Sequence, residues 1–414
     1  MDRQIRQSKP LMPLQYDAGA VKSSCAFDIG RGHAYTQPMT PRERMITAFC
    51  NRQPDMVPVS PDMSNMIPCH LTGKPFWDIY LRNDPPLWRA YIDALKYFGF
   101  DGWLPCGGFT RSNPHVTHEG KAVSETEERI VTHTTIHTPK GDMWQETTYY
   151  SADPPTCTVK PVKRLPEDLE IWIEHFYPDP GEGDDPGYRE IENEMGDLGV
   201  VGPSVGLPGL QDLCNFIAGG AEAATYAYLD YPDLIQRYAE VQEEFQVRLA
   251  RRILAAKPDF LMIGVSGLMT LQSPEIFRKL SLPTLQKVTA MAKAAGIPSH
   301  LHACGRERVL VDICANETDL SSIEPLEIPP MGDCDLGEIK RKFGHRIALK
   351  GNLHTTEVML RGTPEDVRRE SRRCIDQAGE GGGFVLATGD QCGRDTPDEN
   401  IFAMIETARE YGVY

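Results

Sequence analysis

Short apolar runs recur through most of the chain, each closed by a Gly, Pro or polar turn and followed by a segment with helical spacing. They are MVPVSPDM from residue 56, FDGWLPC from 100, LGVVGP from 198, DFLMIG from 259, PSHLHAC from 298, LSSIEPL from 320, RIALKGNL from 346 and GFVLATGD from 383. Between them lie amphipathic stretches such as PDLIQRYAEVQEEFQVRLARRILAA and TPEDVRRESRRCIDQAG. Strand-length runs alternating with helices predict parallel strands joined by helical crossovers. Eight such runs are the number that closes a barrel, so the expected fold class is α/β, a (β/α)8 TIM barrel over residues 40–414. TPRERMITAF supplies an N-cap at Thr40 and proline at the first helical position, which starts the barrel domain with a helix.

Two segments depart from this rhythm. AVSETEERIVTHTTIHTPKGDMWQETTYY alternates threonine with β-branched residues around a Pro-Lys-Gly-Asp turn and predicts an antiparallel hairpin after the second strand, within an insertion at about 107–197. Residues 1–39 lack periodicity and read as an extended N-terminal arm, disordered or packed on a partner subunit; this is the one hint of a homodimer.

Composition narrows the function classes. Of 414 residues 40% are hydrophobic and 25% charged, ordinary for a folded soluble domain. A formal charge of -16 with scattered basic residues argues against nucleic acid and anionic lipid as partners. No apolar run approaches the roughly 20 residues that cross a bilayer, and the opening residues lack the apolar centre of a secretion signal, so the cytoplasm is the expected compartment. The 11 cysteines, odd in number and irregularly spaced, favour reduced thiols over a disulfide framework. Cys314, Cys334 and Cys374 fall in helical or connecting segments and read as packing residues.

The chemistry concentrates in HLHACG, residues 300–305. In an extended chain side chains at i and i+2 leave by one face, so His302 and Cys304 point into one space. Imidazole and thiolate side by side form half of a zinc site, and the glycine that follows permits a sharp turn. In a parallel barrel the chemistry sits at strand C-terminal ends. Glu324 and Glu327, Asn352 and His354, and Asp390 and Cys392 all occupy such ends. His302, Cys304 and either Cys392 or Asp390 would make a three-ligand catalytic zinc set with an open position. The same pattern fits a hydrogen-bonded His302 and merely buried thiols, and both readings stand at this point. Glu324 is the candidate catalytic residue, as a general acid, as the partner that orients His302, or as a structural acceptor. Asn352, His354 and Trp103 are the candidates to touch substrate, although His354 is also placed to cap the following helix. GEGGG at 379–383 precedes a strand and suits a tight turn better than a phosphate cradle.

RERMITAFCNRQPDMVPV, SPEIFRKLSLPTLQKV, LHACG, ALKGNL with RGTPEDVR, and GGGFVLATGDQCGRDTPDENIFAMIETAREYG together resemble the uroporphyrinogen decarboxylase superfamily, and within it the corrinoid-dependent methyltransferases. The resemblance implies a (β/α)8 barrel, zinc held by the His-x-Cys pair and a later cysteine, and a corrinoid (cobalamin) cofactor. The family's Thr-Gly-Cys is replaced here by Thr388-Gly389-Asp390, with Cys392 displaced by two. The decarboxylase branch, as the resemblance implies, uses an arginine-rich segment after the first strand; residues 53–81 contain no arginine and only Lys74. The chain has no Asp-x-His-x-x-Gly, so the corrinoid is expected on a separate partner protein, docked at the barrel mouth with Trp103, Phe109 and the hairpin at the rim. The expected activity is zinc-dependent transfer of a methyl group from a small methylated substrate, an aromatic methyl ether by analogy, to that corrinoid. The alternatives are a methylcobamide:thiol methyltransferase, a metal-free decarboxylase-like lyase, and a non-enzymatic binding protein.

Overall fold

The computed structural model describes residues 38–109 and 112–414. All but the end of the expected N-terminal arm lies outside them. Eleven strands occur in the described residues: β1 (Gly102–Cys106), β2 (Thr117–Glu125), β3 (Arg129–Thr138), β4 (Gly141–Tyr150), β5 (Thr156–Val159), β6 (Gly199–Val205), β7 (Leu261–Gly264), β8 (Ser299–His302), β9 (Ser322–Glu324), β10 (Ala348–Leu353) and β11 (Phe384–Thr388). Seven form one parallel sheet in the order β1-β6-β7-β8-β9-β10-β11. All six of its neighbour relations thus follow chain order, as helical crossovers of one hand require.

The run from Met56 closes this sheet without becoming a regular strand. Val59 forms a parallel bridge with Leu386 of β11. Ser60 N donates to Leu386 O at 2.9 Å, and Asp101 N, just before β1, donates to Val59 O at 2.8 Å. Pro58 and Pro61 flank that bridge, and neither carries an N–H, which limits the ladder to a single bridge. Each stave therefore has a neighbour on both sides, and the sheet is a TIM-barrel-like α/β fold.

The N-terminal ends of the strands are plugged by the helix Pro41–Phe49. Thr40 caps it, with its hydroxyl accepting from Glu43 N at 3.2 Å while the Glu43 carboxylate accepts from Thr40 N at 2.9 Å. Met45, Ala48 and Phe49 pack against Trp103, Val200, Phe260, Met262 and Val385 from the barrel interior. Phe49 stacks on His300 with ring centroids 4.7 Å apart. Charge rivets the plug: Arg44 reaches Asp55 at 2.8 Å and Asp101 at 2.5 Å, and Arg42 reaches Asp259 at 2.6 Å. Asp101 also accepts from Val59 N, and Asp259 from Val201 N, so the same carboxylates hold two staves.

Between β1 and β6 lies a four-stranded antiparallel sheet, β2-β3-β4-β5, where the sequence suggested one hairpin. The Pro139-Lys140 pair joins β3 to β4, with Thr138 opposite Gly141. The extra strands are hard to see because β2, THEGKAVSE, is exposed along its whole length and carries one large apolar residue, Val123. Ile136 and Met143 anchor the sheet to the helices Glu167–His175 and Leu210–Phe216. No helix among the described residues is long and apolar enough to cross a membrane.

Arg44 is 8% exposed and faces two carboxylates. Arg44→Met should lower the unfolding free energy by about 3–5 kcal/mol, because it leaves Asp101 buried and unpaired; urea denaturation at pH 7 measures this. Burial works to raise the Asp55 pKa, yet the hydrogen bonds from Arg44 and from Met39 N outweigh it and hold the carboxyl below its ordinary value. Its stabilisation is complete above the unfolded-state carboxylate pKa and is lost as pH falls through the lower folded-state value. Asp55→Asn should therefore flatten the acid limb of stability against pH.

Candidate functional site

His302 ends β8, and its register partner across the ladder is Glu324, the last residue of β9. Glu324 is 1% exposed and lies at the centre of the polar interior. Its Oε1 lies 3.0 Å from His302 Nδ1 and 3.4 Å from His300 Nε2, and its Oε2 pairs with Lys350 Nζ from β10. Burial alone would raise the Glu324 pKa, but Lys350 and the two histidines hold it well below the ordinary carboxylate range. A carboxylate so held accepts hydrogen bonds and gives no proton at neutral pH, which fits the orienting role among those open to it. His302 shows the converse balance. Burial pushes its pKa down, while hydrogen bonds with Cys304 and Glu324 and the charge of Asp62 raise it well above the usual imidazole value.

Beyond His302 the chain turns at Gly305, whose φ is +100° and where a Cβ would lie 2.1 Å from Thr270 Oγ1. Only glycine suits that place. The turn delivers Cys304 to the mouth, and Gly305 N donates to Glu327 Oε2. Donor atoms of Cys304, Glu327 and Asp390 all lie within 4.8 Å of one another. Asp390 follows β11 with a φ of +105°, a left-handed conformation that costs a non-glycine residue of order 1–3 kcal/mol. Thr388 Oγ1 donates to Asp390 O at 2.7 Å and Gln391 N to Asp390 Oδ1 at 2.8 Å, which pins this backbone.

Sulfur, carboxylate oxygens and an adjacent imidazole are the donor types that zinc accepts. The spacing of Cys304, Glu327 and Asp390 suits a single ion, with His302 beside Cys304. Uptake of a metal on the His302 nitrogen that does not face Glu324 would displace any proton there and leave the Nδ1 contact with Glu324 in place. The acidic surroundings also favour a dication: Asp62 feels the charges of Glu324 and Asp390, and Glu327 feels that of Asp390, while Lys350 offsets the charge at Asp62.

Other candidates fall elsewhere. Cys392 is fully buried, with its N–H on Asp62 O at 2.9 Å, its sulfur 3.9 Å from Thr388 Oγ1, and its thiol pushed up to about 12 by burial. It lies apart from the Cys304, Glu327 and Asp390 group. Asn352 is buried and donates to Leu326 O at 2.9 Å while accepting from Cys374 at 3.5 Å, so both ends of its amide serve the barrel wall. His354 Nδ1 accepts from Thr356 N and Glu357 N at 3.1 and 3.2 Å, the capping role. Trp103 is 2% exposed inside the barrel, with Lys350 Nζ 3.9 Å from its ring centroid, and Phe109 is also 2% exposed. Neither forms the rim, because both rings are taken up by interior packing. Cys314, Cys334 and Cys374 are buried, as packing residues should be. Lys350 and Asp62 carried a signal that was not used: each is a charged residue set in an otherwise apolar strand run.

Residues 213–411 match the family model described as uroporphyrinogen decarboxylase (URO-D). The chain carries a URO-D family domain. Among curated proteins the chain is similar to a methylcobamide:CoM methyltransferase of Methanosarcina barkeri, 28% identical over 43% of this chain and 50% of that protein. It is also similar to a methylated-thiol--coenzyme M methyltransferase of Methanosarcina mazei, 26% identical over 48% and 50%, and to a uroporphyrinogen decarboxylase of Azoarcus sp. (strain BH72), 26% identical over 48% and 55%. These matches span about half the length of each relative. A solved methyltransferase from Methanosarcina mazei superposes with a TM-score of 0.61 over 90% of this chain and 99% of that one, at 16% identity, which shows a shared fold. The URO-D domain contains β7 to β11 and with them His302, Cys304, Glu327 and Asp390. Asp62 and the closing stave lie outside it.

Because Lys350 and Glu324 are each 1% exposed in their side chains, removal of one strands the other. Lys350→Met should destabilise the URO-D domain by about 3–5 kcal/mol, and adding Glu324→Gln should recover part of that loss. Thermal unfolding of the unaltered chain, both single variants and the double variant gives the coupling. Single losses that simply add in the double variant would show that the pair does not act as a unit.

Proposed function

We propose that the protein is a zinc-dependent methyltransferase that moves a methyl group from a small methylated substrate to the cobalt of a corrinoid carried by a separate protein. The convergence of Cys304, Glu327 and Asp390 at the barrel mouth, beside His302, carries this reading. Bound there, zinc supplies Lewis-acid polarisation of the heteroatom that bears the methyl group. His302, Cys304 and Asp390 would hold the metal and leave a fourth position for the substrate heteroatom, with the Glu327 carboxylate beside them. Glu324 fixes the His302 ring through Nδ1 and leaves Nε2 to face the mouth, and Lys350 keeps Glu324 ionised.

Asp390, in place of the cysteine that the corrinoid methyltransferase pattern leads one to expect, makes the set harder and less electron-donating than one with two thiolates. That favours an oxygen-bound methyl group, and we take an aromatic methyl ether as the donor. A second reading is methyl transfer to a thiol, favoured by the names of the two Methanosarcina relatives. The lyase reading has less support: the buried cations among the described residues are Arg44 at the plugged end and Lys350, already bound to Glu324, so the interior offers few partners for a polycarboxylate.

Elemental analysis of the purified protein should find about one zinc per chain. Cys304→Ala and Asp390→Ala should each lose it, and Glu324→Gln should weaken metal retention about 10–100-fold. Methoxyarenes supplied with reduced corrinoid protein should be demethylated by the unaltered chain and not by Cys304→Ala. Demethylation that survives chelation would overturn the metal-dependent reading. Methylation of a thiol from methyl-corrinoid, with no ether demethylated, would establish the second reading.

A further inference from the structure

The strand β2 is the outer strand of the antiparallel sheet. It pairs with β3 along one edge, and among the described residues no strand pairs with its other edge. All nine of its residues are exposed, so neither face of the strand rests on the body of the protein. A long strand with a free edge presents a row of unpaired N–H and C=O groups, a template for another strand. Proteins usually blunt such an edge by shortening or covering it.

The charges along THEGKAVSE decide which strand fits. In a symmetric antiparallel pair of two β2 strands, outward-facing residues meet outward-facing residues, so the two-fold axis passes through a residue position. An axis at Glu119 would set that carboxylate against its own copy, and an axis at Lys121 would oppose two ammonium groups. An axis at Gly120 places Glu119 opposite Lys121 twice, His118 opposite Ala122, and Thr117 opposite Val123. Opposite charges directly across a ladder stabilise it and like charges destabilise it. The β-bulge between Ala122 and Ser124 falls at the end of this ladder, clear of its centre. Lys121 has no ion-pair partner among the described residues, and Glu119 has only the exposed His137 at 3.7 Å.

We propose that two copies of this chain associate through β2, antiparallel and centred on Gly120, joining their four-stranded sheets into one. The interface is a backbone ladder with two Glu119–Lys121 pairs at its centre, and it lies on the insertion, independent of the chemistry at the barrel mouth.

Sedimentation velocity of the full chain, from about 1 to about 100 µM, should show a reversible, concentration-dependent dimer. Glu119→Lys and Lys121→Glu should each shift the equilibrium toward monomer by about tenfold or more, because each turns two attractive pairs into two repulsive ones. The double variant Glu119→Lys with Lys121→Glu restores the complementarity and should restore the dimer. Hydrogen exchange on the unaltered chain provides a second measurement, with the outer amides of β2 protected at high concentration and exposed on dilution. A chain that stays monomeric throughout, a dimer indifferent to the single substitutions, or β2 amides whose protection ignores concentration would each overturn the proposal.

Discussion

Everything at the mouth of this barrel depends on the Glu324 carboxylate, buried in the interior and satisfied from several sides. Desolvation of a bare carboxylate at such depth would cost several kcal/mol. Lys350, His300 and His302 offset that cost together, and each comes from a neighbouring stave, β10 or β8. The arrangement also runs downward. Lys350 lies against Trp103, His300 stacks on Phe49, and Phe49 belongs to the helix that plugs the opposite end. The orientation of His302 is thus coupled through packed groups to the closure of the barrel. A chain that failed to seat its first helix would lose the stack on His300 and with it part of the support for Glu324.

The strained turn at Asp390 has meaning in that setting. A left-handed backbone at an aspartate is held against its own preference by Thr388 and Gln391, and the result is a carboxylate beside Cys304 and Glu327. A carboxylate at position 390 in place of a second thiolate would make a donor set harder at the same formal charge, and Glu327 beside it adds a further acidic group. Cys392 could have supplied the second thiolate, yet it is sealed under Asp62 and Thr388 with its proton held tightly. The exchange of roles between positions 390 and 392 is therefore physical: one residue is turned out at an energetic cost and the other is turned in and neutralised.

Much of this was legible in advance, and the parts that were not have identifiable causes. Seven of the eight apolar runs became parallel staves in chain order because period and length alone distinguish short buried strands from amphipathic helices. The run from Met56 was found but reduced to one bridge by its prolines. In the sequence His302 and Cys304 stand out because i and i+2 share a face at a strand end, and Asp390 because it follows the last strand; the structure brings Cys304 and Asp390 together with Glu327. The side chains of Asn352 and Trp103 were misjudged, because strand-end position does not say whether a polar group faces the mouth or the wall. Glu327 was visible as a strand-end acid, but its place beside Cys304 depends on the turn at Gly305, which brings residues 22 apart into hydrogen-bond contact. The expected hairpin centred on the turn between β3 and β4, and β2 does not stand out as a separate strand because a strand exposed on both faces has no apolar alternation to betray it.

The two halves of the chain contribute differently to the site. Residues 213–411 alone supply the thiol, the imidazole and the carboxylates that converge at the mouth. Residues before 213 supply the plug, the closing stave and Asp62, whose buried carboxyl is raised chiefly by desolvation while Lys350 pulls it down. Asp62 is bonded through its backbone to Thr388 and Cys392, the two residues that flank Asp390. The first stave therefore sets the ground from which Asp390 projects, although it offers no donor to the Cys304 group. Change in this upstream segment can reshape the approach of a substrate without altering the donor atoms, whereas change between β8 and β11 alters the donors themselves. A barrel closed by one irregular bridge is well suited to that division, since a stave with few ladder bonds constrains its own side chains less than the β8–β9 pair constrains His302 and Glu324.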